Sequence, residues 1–200
     1  MKRYPIARRH FSITLKQGNL PKSKYASLFF ARFSLADGFI SIKAKDFREI
    51  SMKGYGSLIK LQLAYSAFDT LMSVINEYKK YARLQSDPYK HSLNRRILAN
   101  QLRTNSTLME LLENHTERKL KPRINLFNQK ISDDVLCIAM GIRHLTAHGI
   151  LSVGGGELDL KMNRDKVDAL SNLLLDYSDE VFSKLSQKLD EYVESHLFLN

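Results

Sequence analysis

Three side chains in the stretch DDVLCIAMGIRHLTAHGILSVGGGELDL, residues 133–160, are of types that can bind an anion or move a proton: Arg143, His144 and His148. A guanidinium matches the geometry of a phosphate and stabilises negative charge that develops on it. An imidazole can take a proton from one oxygen and return it to another. The chain has six histidines, and two of them stand beside an arginine at the end of one short apolar segment. If that segment is a helix, His144 and His148 at i and i+4 share a face. Five residues amount to about 500°, so Arg143 and His148 point about 140° apart. A common site for those two needs an irregular helix end, or a second copy of the motif from a partner chain.

The same residues allow other readings. His144 and His148 have the spacing of two metal ligands on one helical face, with Glu157 or Asp159 as a third donor only after a fold-back. No zinc-protease motif surrounds them, and we assign neither metal nor cofactor. Arg143 could instead pair with an acidic residue of the last helix, such as Asp176 or Asp179, and His148 could simply finish its own helix. The glycine run Gly154 to Gly156 lacks the Gly-x4-Gly-Lys-Ser/Thr order of a phosphate-binding loop and reads as a turn. Cys137 sits in an apolar run, which favours a buried thiol over a nucleophile.

The elements that must position the motif follow from periodicity. Ser132 is placed to cap a helix opened by Asp133 and Asp134, both favourable beside its positive N-terminus. Val135, Ile138, Ala139, Ile142 and Leu145 form its buried stripe, and Gly149 ends it in the left-handed conformation. A short β-hairpin over ILSVGGGELDLKM (residues 150–162) precedes a last helix capped by Asn163 and running to about residue 196, roughly 50 Å at 1.5 Å per residue. A helix of that length outruns a small bundle, and dimerisation would hide the surplus face. Upstream, Leu61, Tyr65, Phe68, Met72 and Ile75 recur at helical spacing from Ser57 to about Leu84. Two further helices span 92–101 and 106–119, and KLKPRINLF (residues 119–127) reads as a loop around Pro122. Before Ser57 the pattern alternates. FSITL puts Phe11, Ile13 and Leu15 on one face, and two apolar runs flank Asp37-Gly38, a good hairpin turn. The expected fold is mainly α: an up-and-down helical bundle with an N-terminal β-ribbon across 10–45 and the short hairpin before the last helix. Residues 1–56 form a basic arm and residues 57–200 the helical domain.

Charge is distributed unevenly. Residues 1–60 carry 13 Lys/Arg against 3 Asp/Glu, residues 61–130 carry 12 against 6, and residues 131–200 carry 6 against 12. The first 35 residues contain no acidic side chain. A basic end on an acidic body suits a polyanion such as RNA, with Arg8, Arg9, Lys22, Lys24 and Arg32 as candidate RNA-binding residues. Equally, the arm could pack on the acidic C-terminal part, in its own chain or a neighbour. Phe29, Phe30 and Phe33 lie among those cations; they could stack bases, although rings in such a segment more often build its core. The Arg-rich, acid-poor start looks like a transit peptide but has no apolar signal region, and a structural arm is the better reading. No uninterrupted apolar run approaches the roughly 18 residues of a membrane span. One cysteine gives no disulfide framework, which fits a reducing, cytoplasmic setting.

With Arg143, His144 and His148 at a helix end, the segment resembles the HEPN superfamily of helical proteins. The mark of that superfamily is Arg-x4–6-His, usually with a polar residue straight after the arginine. The likeness in layout extends over residues 57–196: an amphipathic first helix, a helical middle, the motif at the end of a later helix and a long closing helix. It implies a metal-independent endoribonuclease, of toxin or defence type, acting as a homodimer whose two motifs meet in one cleft. Arg143 and His148 would then be catalytic, with His144 in support, and the products a 2′,3′-cyclic phosphate and a 5′-hydroxyl. RNA, a second copy and a protein antitoxin are the implied partners. HEPN toxins controlled by nucleotidyltransferases commonly carry a tyrosine two residues beyond the histidine. Here Gly149 and Ile150 follow His148, so that mode of control is not implied. The alternative is a catalytically silent helical module that binds RNA or protein.

Overall fold

A computed structural model of the 200-residue chain describes residues 4–43, 45–46, 48–82, 93–151 and 160–197. Among them the regular structure is entirely helical: α1 (Tyr4–Gln17), α2 (Ala26–Asp37), α3 (Glu49–Ala82), α4 (Leu93–Arg103), α5 (Ser106–His115), α6 (Lys121–Asn128), α7 (Val135–Ala147) and α8 (Leu160–Leu197).

The helical bundle is as expected; the N-terminal β-ribbon is not there. The segment 10–45 holds most of α1 and all of α2. In α1 the buried positions are Tyr4, Ala7, Phe11 and Thr14, a spacing of three and four, while Ile13 of the supposed strand face is exposed. In α2 they are Ala26, Phe29, Phe30, Phe33 and Ala36, with Leu28 and Leu35 outside. Both periods fit the apolar residues of this region. The helical one wins because it turns four rings toward Phe182 of α8, which lies 5.1–6.2 Å, centroid to centroid, from Tyr4, Phe11, Phe29 and Phe30. Asp37-Gly38 is a helix end, where the Gly38 N–H donates to the Ser34 carbonyl at 3.0 Å.

Other boundaries move for local reasons. α3 starts at Glu49, eight residues before Ser57, so it runs through the junction of arm and helical domain. Pro122 opens α6 rather than a loop; its ring is tolerated in a first turn, where the missing N–H has no partner to lose. α8 begins at Leu160, three residues ahead of Asn163. The short hairpin expected over 150–162 is not supported either: residues 160–162 open α8 and no strand occurs among the described residues, while its glycine turn at 154–156 lies outside them.

α3 and α8 form a two-helix spine and run parallel. Lys60 bonds Asn172, Phe68 meets Tyr177, and Tyr81 meets Tyr192, so residue numbers rise together along both. α2 lies antiparallel on α3: Arg32 donates to Thr70 at 2.6 Å, and the Lys24 N–H reaches Glu77. α1 lies parallel on the C-terminal half of α8, where Ser186 donates to the Ala7 carbonyl and Gly18 sits against Val193. A Cβ on Gly18 would fall 2.3 Å from Val193 Cγ2, so the close approach requires glycine. The basic arm therefore packs on the acidic C-terminal helix of its own chain. Phe29, Phe30 and Phe33 are core rings. By length and composition alone α3 could cross a membrane; in this fold 44% of its most apolar window is buried inside the protein.

The α1–α8 contact carries a titratable group. The Thr14 hydroxyl meets the Asp190 carboxylate. Burial raises the Asp190 carboxyl above its ordinary value, His10 opposes this and Glu194 adds to it. A carboxyl that holds its proton more tightly when folded loses stability as pH rises above the unfolded value. Asp190→Asn, which keeps an oxygen for Thr14, should therefore stabilise the protein at pH 7. The gain should vanish below about pH 4, where both states are protonated. Urea unfolding at the two pH values checks the sign.

Candidate functional site

Three arginines fix the start of α7. Arg95 of α4 donates to the Asp133 carbonyl at 2.8 Å and reaches Asp134 at 3.4 Å. Arg103, also of α4, donates to the Ser132 carbonyl and the Asp133 carboxylate, each at 2.7 Å. Arg123 of α6 grips Asp134 Oδ2 with two N–H groups, at 3.1 and 2.7 Å. The cap is Asp134, whose carboxylate accepts the Leu136 N–H at 3.2 Å; Ser132, expected in that role, instead accepts the Asp134 N–H at 3.2 Å. The carboxylate wins because it accepts from the helix and from two arginines at once. The stripe Val135, Ile138, Ala139, Ile142 and Leu145 is buried as expected.

Gly149 ends α7 with φ +70°, and the Ile150 N–H closes back on the Leu145 carbonyl at 2.9 Å. The helix stays regular through Ala147, with His148 as its C-terminal cap at φ −92°, ψ 5°. The irregular end that could bring Arg143 and His148 together within one chain is therefore not present. Arg143 is exposed, and its guanidinium carbon lies 5.4 Å from the centre of the Tyr65 ring on α3. No acidic side chain among the described residues pairs with it. Burial raises the Tyr65 phenol and Asp69 adds to this, whereas Arg143 opposes it.

The histidines turn the other way. Their rings pack at 4.4 Å between centroids with 57° between planes. His144 is half-buried, and its Nδ1 lies 3.5 Å from Glu117 Oε1 in the α5–α6 connection. His148 is exposed. The structure thus joins His144 to His148 and leaves Arg143 apart. Tyr65 and Glu117 are new members. The sequence placed Tyr65 in a core stripe and Glu117 near a helix end, and nothing local in either segment points to α7.

Gly141 sets how closely α5 approaches. A Cβ there would fall 2.4 Å from Leu112 Cδ2 and 3.4 Å from Thr116 Cγ2, and Thr116 is the neighbour of Glu117. Gly141→Leu should force the helices apart and cost about 1–3 kcal/mol, as overpacking does. Denaturant unfolding measures the cost, and loss of the His144–Glu117 contact can be followed in imidazole NMR resonances.

The five basic candidates lie on or between α1 and α2. Arg8 lies over the Phe30 ring at 4.9 Å, Arg9 is exposed on α1, and Lys22 and Lys24 are exposed between α1 and α2. Arg32 is held by Thr70. Cys137 is buried and its thiol donates to the Asp134 carbonyl at 2.9 Å; burial pushes its pKa up to about 12, which keeps it a thiol. Glu157 and Asp159, the possible third metal donors, lie outside the described residues. Among the described residues no group of three or more His, Cys, Asp and Glu side chains is arranged to hold a metal ion. Compared with protein-family models, with curated proteins and with solved structures, the chain gave no match.

Proposed function

We propose that this chain is a metal-independent endoribonuclease of the HEPN type, acting in a cytoplasmic setting, whose active site is completed only when two copies meet. The observation that carries this reading is the state of Arg143 and His148. Both are exposed at one helix end, and the arginine has no carboxylate partner among the described residues. Because α7 is regular, the guanidinium of one chain and the imidazole of that same chain diverge. The cleft needs His148 from one copy opposite Arg143 from the other. There the ribose 2′-oxygen attacks the adjacent phosphorus while an imidazole takes its proton. The bond from phosphorus to the 5′-oxygen breaks, and that oxygen receives a proton. Two guanidinium groups stabilise the crowded phosphorane.

The basic residues outside the motif draw RNA in by charge, which makes binding weaken with salt. A protein antitoxin covering the same end would be a means of control. Incubating the purified chain with single-stranded RNA in EDTA tests the reading. The expected result is cleavage to 2′,3′-cyclic phosphate ends; intact RNA with a monomeric protein would overturn it. A silent binding module is the second reading, favoured by the Tyr65 and Glu117 contacts that already engage Arg143 and His144. It predicts salt-sensitive RNA retention that is indifferent to His148.

A further inference from the structure

We propose that His144 and His148 form a site for one divalent transition-metal ion of the kind that imidazole binds, such as zinc or nickel. Two imidazoles chelate a metal when their nitrogens converge on a point about 2.0–2.1 Å from each. With ring centres about 3.2 Å from such an ion, a ligand angle of 90–109° places the centroids roughly 4.5–5.2 Å apart. The observed separation is 4.4 Å with the planes tilted by 57°, so a small ring rotation is enough. The pair is at i and i+4 at the end of α7, and the packed rings show that both project from one side of it.

Glu117 supplies a second, independent feature. Its carboxylate lies beside Nδ1 of His144 at 3.5 Å. A carboxylate on that side of the ring favours the tautomer with its proton on Nδ1 and leaves the other nitrogen, Nε2, for a metal. With no third protein donor among the described residues, the remaining positions belong to water. Such a site discriminates against magnesium and calcium, which prefer oxygen ligands. The other described histidines form no such pair: His10 is exposed on α1, His115 ends α5, and His196 contacts Tyr192 and Ser195.

Metal uptake stands without the ribonuclease reading. A consequence that rests on that reading is inhibition, because His148 cannot exchange a proton while it holds a metal. The test is calorimetric titration of the full chain with zinc and nickel chlorides, and with magnesium chloride as control. One saturable equivalent per chain is expected for zinc and nickel and none for magnesium. His144→Ala and His148→Ala should each abolish saturation, and Glu117→Gln should weaken affinity about 10–100-fold. His148→Asn removes the ligand while keeping polarity at an exposed position, so its folding is secure. Uptake unchanged in His148→Asn, or no saturable uptake by the wild type, overturns the proposal. RNA cleavage in EDTA is read separately: an active chain that takes up no zinc fails only this inference, and an inactive chain that binds zinc fails only the nuclease reading.

Discussion

Arg143→Ala and His148→Ala should each slow RNA cleavage by roughly 10²–10⁴-fold, equivalent to about 3–5 kcal/mol of barrier, without changing the unfolding midpoint. Both side chains are exposed, so neither truncation opens a cavity. Removing the guanidinium leaves the phosphorane charge uncompensated; removing the imidazole leaves the 2′-hydroxyl with no base. Arg143→Lys should recover little, because an ammonium cannot match two phosphate oxygens in one plane. The composite arrangement gives a sharper result. Each variant alone keeps only that residual rate, yet mixing Arg143→Ala chains with His148→Ala chains allows mixed dimers that hold one intact arginine and one intact histidine. Activity should rise above that of either parent. If each chain instead carried a self-sufficient site, mixing would restore nothing. Initial rates on a labelled oligonucleotide, at fixed total protein, distinguish the two.

Phe182→Ala should cost about 3–5 kcal/mol. The ring is fully buried and touches Tyr4 and Phe11 of α1 and Phe29 and Phe30 of α2. Its loss leaves a cavity walled by four aromatic side chains from two helices, which cannot all move in to fill it. Leu35→Ser, on the exposed face of α2, should change stability by no more than about 0.5 kcal/mol. Guanidinium unfolding of both variants measures the contrast. Were residues 4–37 a detachable arm, the two truncations would differ little, and Phe182→Ala would leave a folded remainder.

The parts of the molecule legible in the sequence are those where one period dominates. The α7 stripe, the glycine stop at 149 and the long closing helix each have a single consistent pattern, and each is found. The first 45 residues were misread because Phe11, Ile13 and Leu15 satisfy a period of two over five residues, while the competing stripe Tyr4, Ala7, Phe11 and Thr14 needs eleven to show itself. What selects between them is Phe182, some 170 residues away, and no local window contains it. At the candidate site the types and spacing of Arg143, His144 and His148 were legible, along with the divergence of Arg143 from His148. Tyr65 and Glu117 were not, because they reach α7 through tertiary contacts. The role of Arg95, Arg103 and Arg123 in gripping the 132–134 turn was hidden for the same reason.

The parallel run of α1 and α8 has a consequence for how the chain is made. Ser186 bonds the carbonyl of Ala7 across 179 positions, so α1 leaves the ribosome long before the part of α8 it docks against. At a synthesis rate of about 5–20 residues per second, the faces of Phe11 and Phe29 wait roughly 8–34 seconds for Phe182. During that interval the nascent segment is a greasy, positively charged hook, and a chaperone that shields it until α8 emerges would raise the yield of folded protein.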